Sequence, residues 1–140
     1  MADVIFNSFK KKIMDGSIDL DTDTIKVMLV TSTYTPDQDA HDFKDDVTNE
    51  VSGTGYSAGG QALANKAVTQ DNTDNEGVFD ADDVTWGSST ITARGAVIYK
   101  DTGTASTSPI ICYIDFGADK SSSNGNFTLQ WNAEGILNLN

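Results

Sequence analysis

The 140-residue chain is short of the residues from which most catalytic and metal sites are built. It has one cysteine, Cys112, and one histidine, His41. A lone cysteine excludes an internal disulfide, and with a lone histidine it leaves no ligand set for a zinc site. Cys112 sits within "PIICYIDF", where a small buried hydrophobe is the expected role. Bases are also scarce: nine against 21 acids, for a net charge of −12. That balance excludes nucleic acid and anionic membrane surfaces as partners, since both are bound through clustered basic groups. It favours solubility and names no function. No apolar run approaches the roughly 20 residues of a membrane-spanning helix. The N-terminal "MADVIFNSFKKKI" places its lysines after a short apolar patch, the reverse of a secretion signal, so synthesis in the cytoplasm is expected.

At this length one domain is expected. Asp3 is positioned to cap a helix over residues 4–14, with Ile5, Phe9 and Ile13 on one face, Phe6 widening the stripe, and Gly16 as the stop. This gives a helical segment over 1–16 ahead of a β domain over 17–140. The segment either packs on the domain or, through its phenylalanines, docks on a partner. "TIKVMLVTS" reads as a partly buried strand. The polar stretch from Thr33 to Gly55 reads as a long surface loop with room for a short helix within 38–49, and loops of that length are often functional. "ARGAVIYKD" and "SPIICYIDFG" are nearly continuous apolar runs, as in central strands covered on both faces. "TGTAST" suits the hairpin loop between them. Val84 and Trp86 alternate with Asp83 and Thr85, and Phe127, Leu129 and Trp131 alternate with Thr128, Gln130 and Asn132. "NAEG" turns the chain into a last strand, "ILNLN". The expected fold is a mostly β, single β-sandwich, jelly-roll-like or alternatively immunoglobulin-like, with a short N-terminal helix.

"GTGYSAGGQALANKAV" (53–68) fits the loose form of the dinucleotide-binding fingerprint. That fingerprint has meaning only between a buried strand and a helix. Here "DDVTNEVS" precedes it, too polar for such a strand. The residues after it read better with period two, Ala62, Ala64, Lys66 and Val68 on one face, so these glycines are expected to make turns leading into a strand. "DLDTDT" (19–24) has alternating carboxylates but Thr24 where a calcium loop needs glycine, and the glycine of "DNTDNEG" (71–77) falls one place late. Solvated loops are expected at both. No nucleophile-elbow sequence accompanies His41, so neither a catalytic site nor a cofactor is expected. Tyr34, Tyr56 and Trp86 lie near predicted loops or strand ends, where rings either stack on a sugar or pack at the rim of the core.

The order of "IKVMLVTSTYTPD", "HDF…DV…NEVSGTGYSAGG", "DDVTWGSSTITARGAVIYKD", "PIICYIDFG" and a terminal W-x-x-x-G-I-L-x-L resembles a group of small structural proteins of tailed bacteriophages. The likeness runs over nearly the whole chain and is most specific at 41–63 and 82–100. It implies a virion protein of the head decoration, or cement, type. Such a protein would sit on the capsid exterior, bind neighbouring major capsid subunits, and form a dimer or trimer. It implies no catalytic residue. Candidate contact residues are Ile5, Phe6 and Phe9 of the N-terminal segment with Tyr34, Tyr56 and Trp86. The alternative is a tail or fibre-associated module that binds a host glycan through Trp86 and Tyr56.

Overall fold

The computed structural model describes residues 2–140. It is mostly β, with antiparallel sheets and one short helix near the N-terminus. The strands are β1 (Val4–Ile5), β2 (Ile25–Val30), β3 (Gln61–Ala62), β4 (Ala67–Asp71), β5 (Glu76–Asp80), β6 (Val84–Ser89), β7 (Thr92–Lys100), β8 (Ile110–Ser121), β9 (Gly125–Leu129) and β10 (Leu137–Leu139), with helix α1 (Asn7–Met14) after β1. The main sheet has the order β1-β8-β7-β2-β3; β10-β5-β4 and β6-β9 form two smaller sheets.

The main sheet is buried on both faces, as the apolar runs require. On one face Ile25, Val27, Leu29, Ala96 and Ile98 join Phe79 and Leu137 of the β10-β5-β4 sheet and Val84, Trp86, Phe127 and Leu129 of β6-β9. The three sheets therefore close over a shared core in a sandwich-like arrangement. On the opposite face Met28, Val30, Val97, Tyr99, Ile110 and Tyr113 are covered by Phe6 and Tyr34. A bulge lets β8 serve both faces: Ile98 pairs with Cys112 and Tyr99 with Ile110, leaving Ile111 as the extra residue. Ile111 and Cys112 then both reach the first core despite being neighbours. The alternating stretch of β9 behaves as its pattern predicts, with Phe127, Leu129 and Trp131 inward.

Two sequence expectations change. The helix begins at Asn7 and not at residue 4, because Val4 and Ile5 pair with Tyr113 and Cys112 as strand β1. Asp3 caps nothing; its Oδ2 accepts the Asp115 N–H at 2.7 Å and fixes β1 beside β8. The N-terminal segment is thereby part of the main sheet, and Phe6 and Phe9 enter the two different cores. The stretch after the glycines is two strands and not one. Asn65 takes φ +51°, which turns the chain between β3 and β4, and its side-chain amide donates to Asp82 Oδ2 at 2.6 Å.

The glycine stretch joins β3 to the rest without any nucleotide-binding geometry, since β3 has two residues and leads into strand β4, not a helix. Gly55 (φ +83°) lies against the backbone of Ser89, and Gly60 (φ +74°) lies against β2. A Cβ on Gly60 would stand 1.8 Å from the Val27 carbonyl oxygen. Gly60→Ala is therefore expected to destabilise the protein by about 3 kcal/mol or more, read from the urea midpoint. Cys112 is fully buried and its thiol is pushed up to about 12 by desolvation. Ellman's reagent should modify it at neutral pH only as fast as the chain unfolds; rapid labelling of the native protein would contradict its placement.

Candidate functional site

The stretch from Thr31 to Gly60 is ordered by its own side chains. Its central element is a single turn of 3₁₀ helix, Lys44–Asp46, in place of the short helix expected within 38–49. Asp46 Oδ2 accepts the N–H groups of Asp42 and Phe43 at 2.8 and 3.2 Å, and Asp37 Oδ1 accepts those of Asp39 and Ala40, both at 3.0 Å. These bonds favour the charged carboxylates and hold both below the ordinary value of 3.8. His41 Nδ1 accepts the Asp37 N–H at 3.2 Å and lies 3.0 Å from the Tyr34 hydroxyl. The histidine thus orders the loop. Across to the N-terminus, Gln38 donates its amide to the Ile5 carbonyl at 2.7 Å and Asn7 donates to Asp39 Oδ1 at 2.7 Å.

The second half of the loop is fastened to β2. The Tyr56 hydroxyl accepts the Leu29 N–H at 3.0 Å and donates to Glu50 Oε2 at 2.7 Å, and the same oxygen accepts the Gly59 N–H at 2.8 Å. Val51 N–H donates to the Leu29 carbonyl and Thr31 N–H to that of Asn49, both at 2.9 Å. Burial first, then the Glu50 carboxylate, raises the Tyr56 phenol well above its usual range, so it stays protonated and keeps its donor. Residues 41–63 and 82–100 touch here. Thr54 bridges Thr90, the Tyr56 ring lies 5.9 Å from that of Trp86, and Gln61 donates to the Thr85 carbonyl at 2.9 Å. The loop presents an acidic outer surface, with Asp37, Asp39 and Asp45 exposed.

Four of the six candidate contact residues are interior. Phe6, Phe9 and Tyr34 belong to the two cores, and Trp86 is 2 % exposed, packed against Tyr56 and Phe127. With no open ring face, Trp86 cannot stack on a sugar, and none of these four can meet a partner in the folded state. The physical reason is that the main sheet needs large side chains on both faces and has no second full sheet for the Tyr99 side. Tyr56 is half-buried and committed to Leu29 and Glu50. Ile5 is half-buried and lines a groove with Phe9.

That groove, about 410 Å³, lies between α1 and the β10-β5-β4 sheet, with Ile13, Leu20, Val78, Phe79 and Leu137 among its walls. Met14, Val68 and Leu139, which are 83 %, 54 % and 66 % exposed, all border it. Apolar surface collected in one place marks an interaction site more than scattered exposure does. The sequence places Val68 on a strand face and Met14 at a helix end, and nothing local shows that Leu139 joins them. The acids of 71–77 also come together. Ligand oxygens of Asp71, Asp74 and Glu76 lie within 4.8 Å of one another, while Asp71 Oδ1 accepts the Thr73 and Asp74 N–H groups. In "DLDTDT", Asp19 Oδ1 accepts the N–H groups of Asp21 and Thr22, and Asp23 pairs with Lys100 at 2.9 Å. No helix among the described residues is long and apolar enough to cross a membrane.

Tyr56→Phe removes the acceptor for Leu29 N–H and the donor to Glu50, and should cost about 1–3 kcal/mol in chemical denaturation. A change within error would show that the hydroxyl is not needed at β2. Asp37 and Asp46 have folded-state pKa values below their unfolded ones, so their contribution is complete above 3.8 and is lost as pH falls through the depressed values. Melting temperature should accordingly drop as pH is lowered below that point, and the Asp46→Ala protein should show a shallower drop. No protein-family model, curated protein or solved structure matches this chain.

Proposed function

We propose that the chain is a non-enzymatic structural protein of a phage virion, which sits on the capsid exterior and stabilises the shell by binding neighbouring major capsid subunits. The observation that carries the reading is the ordered loop at 31–60. Four of its titratable side chains, Asp37, Asp46, Glu50 and His41, accept backbone N–H groups and hold the chain in place. An arrangement of that kind fixes a protein-binding surface in advance and lowers the entropic cost of association. It does not assemble a nucleophile with a base. The two stretches where the phage resemblance is most specific supply the second part of this loop and the strand corner that anchors it.

Charge supports the exterior placement. A chain of net charge −12 is repelled by packaged nucleic acid and is kept soluble in many copies before assembly. The exposed Asp37, Asp39 and Asp45 would meet basic groups on the capsid subunits. Binding to the assembled shell and not to free subunits would stabilise the shell by linkage.

The test is the ratio of this protein to the major capsid protein in purified virions, measured by quantitative mass spectrometry. The proposal expects the same order of abundance. A ratio typical of tail components would move the protein to the tail, and absence from the particle would end both virion readings. Asp45→Lys, at an exposed position outside the loop's carboxylate-to-backbone bonds, should then slow association with capsids lacking the protein and leave its melting temperature unchanged.

A further inference from the structure

We propose that two copies of this chain pair through strand β4, continuing the β10-β5-β4 sheet across a twofold axis. The inference is independent of the capsid reading and concerns the protein in solution.

β4 is an outer strand, paired only with β5 among the described residues, and Ala67, Val68, Thr69 and Gln70 are all exposed. Natural sheets blunt such an edge with proline, an inward charge, a bulge or very short length. The edge strands β1 and β3 of the main sheet have two residues each. β4 has five, with no proline among them, and its register with β5 is unbroken from Ala67↔Asp80 to Asp71↔Glu76. Its backbone groups facing away from β5 have no other described strand beside them. The edge is also apolar where it meets the groove, since Val68 forms the lip on that side.

The strand is complementary to itself. Antiparallel pairing about an axis at Thr69 is the register that uses all of Ala67–Asp71, and it opposes Val68 to Gln70 of the second copy and Ala67 to its Asp71. No like charges face each other. The two Val68 side chains become diagonal neighbours on one face, within contact range. One residue further out, Lys66 is brought beside Asn72 of the second copy, at the hairpin tip where Asp71, Asp74 and Glu76 converge. Lys66 donates to the Asp23 carbonyl of its own chain and stays engaged there. Such an isologous interface closes at two copies.

Sedimentation velocity on the full-length protein over a range of concentrations tests the inference. A species of twice 15.0 kDa is expected. Val68→Asp places two carboxylates beside the axis and should raise the dissociation constant at least about tenfold, with an unchanged circular dichroism spectrum. Thr69→Cys gives a second, independent reading: under a mild thiol oxidant it should cross-link into a dimer, while buried Cys112 stays unreacted. A monomer throughout or a trimer would overturn the proposal. So would a dimer that is indifferent to Val68→Asp and that the Thr69→Cys substitution fails to cross-link.

Discussion

Strand β2 is buried on both faces, and this sets the terms for the rest of the molecule. A buried backbone N–H or C=O left without a partner costs about 1–3 kcal/mol. On one side β7 pairs with the whole of β2. On the other side β3 reaches only Lys26 and Val27. The remaining outer-edge groups are met one at a time: Leu63 N–H at the Ile25 carbonyl, the Tyr56 hydroxyl at Leu29 N–H, Val51 N–H at the Leu29 carbonyl, and the Asn49 carbonyl at Thr31 N–H. A loop takes the place of an edge strand.

That requirement explains why the loop is both long and ordered. It must run along the edge of β2, cover the Met28–Val30 face with Tyr34 and Val47, and return through the corner at Ser89–Thr90. Glycines are used where the chain approaches other backbone too closely for a side chain, as at Gly55 and Gly60. Once its inner groups are engaged, the loop turns Asp39 and Asp45 outward on a frame that has little freedom left. The same constraint strips the aromatic residues of binding roles. Tyr34, Trp86 and Phe6 are needed to close two cores around one sheet, and the acidic loop surface and the β4 edge beside the groove are what the fold leaves exposed.

Much of the fold was legible because it comes from side-chain period. The apolar runs of β7 and β8 marked strands covered on both faces, and the alternation at Phe127, Leu129 and Trp131 marked a half-buried one. The departures have local physical causes. Asp3 has the chemistry of a helix cap, but the free edge of β8 claims Val4 and Ile5 first. A period-two reading of 62–68 has no means of seeing Asn65 adopt a left-handed turn. The site was less legible still. Tyr56 and Leu29 are 27 residues apart, and a phenol substituting for a strand partner leaves no periodic trace. Met14, Val68 and Leu139 meet only because α1, β4 and β10 surround one groove.

The measurement that bears most directly on this account is amide hydrogen exchange of the native protein, resolved by residue. The hydroxyl of Tyr56 and the carboxylates of Glu50 and Asp46 should protect Leu29, Gly59, Asp42 and Phe43 to an extent approaching the central strands β7 and β8. Exchange of Leu29, Thr31 and Val51 at the rate of an unstructured peptide, with β7 and β8 still protected, would contradict the claim that the loop completes the edge of β2.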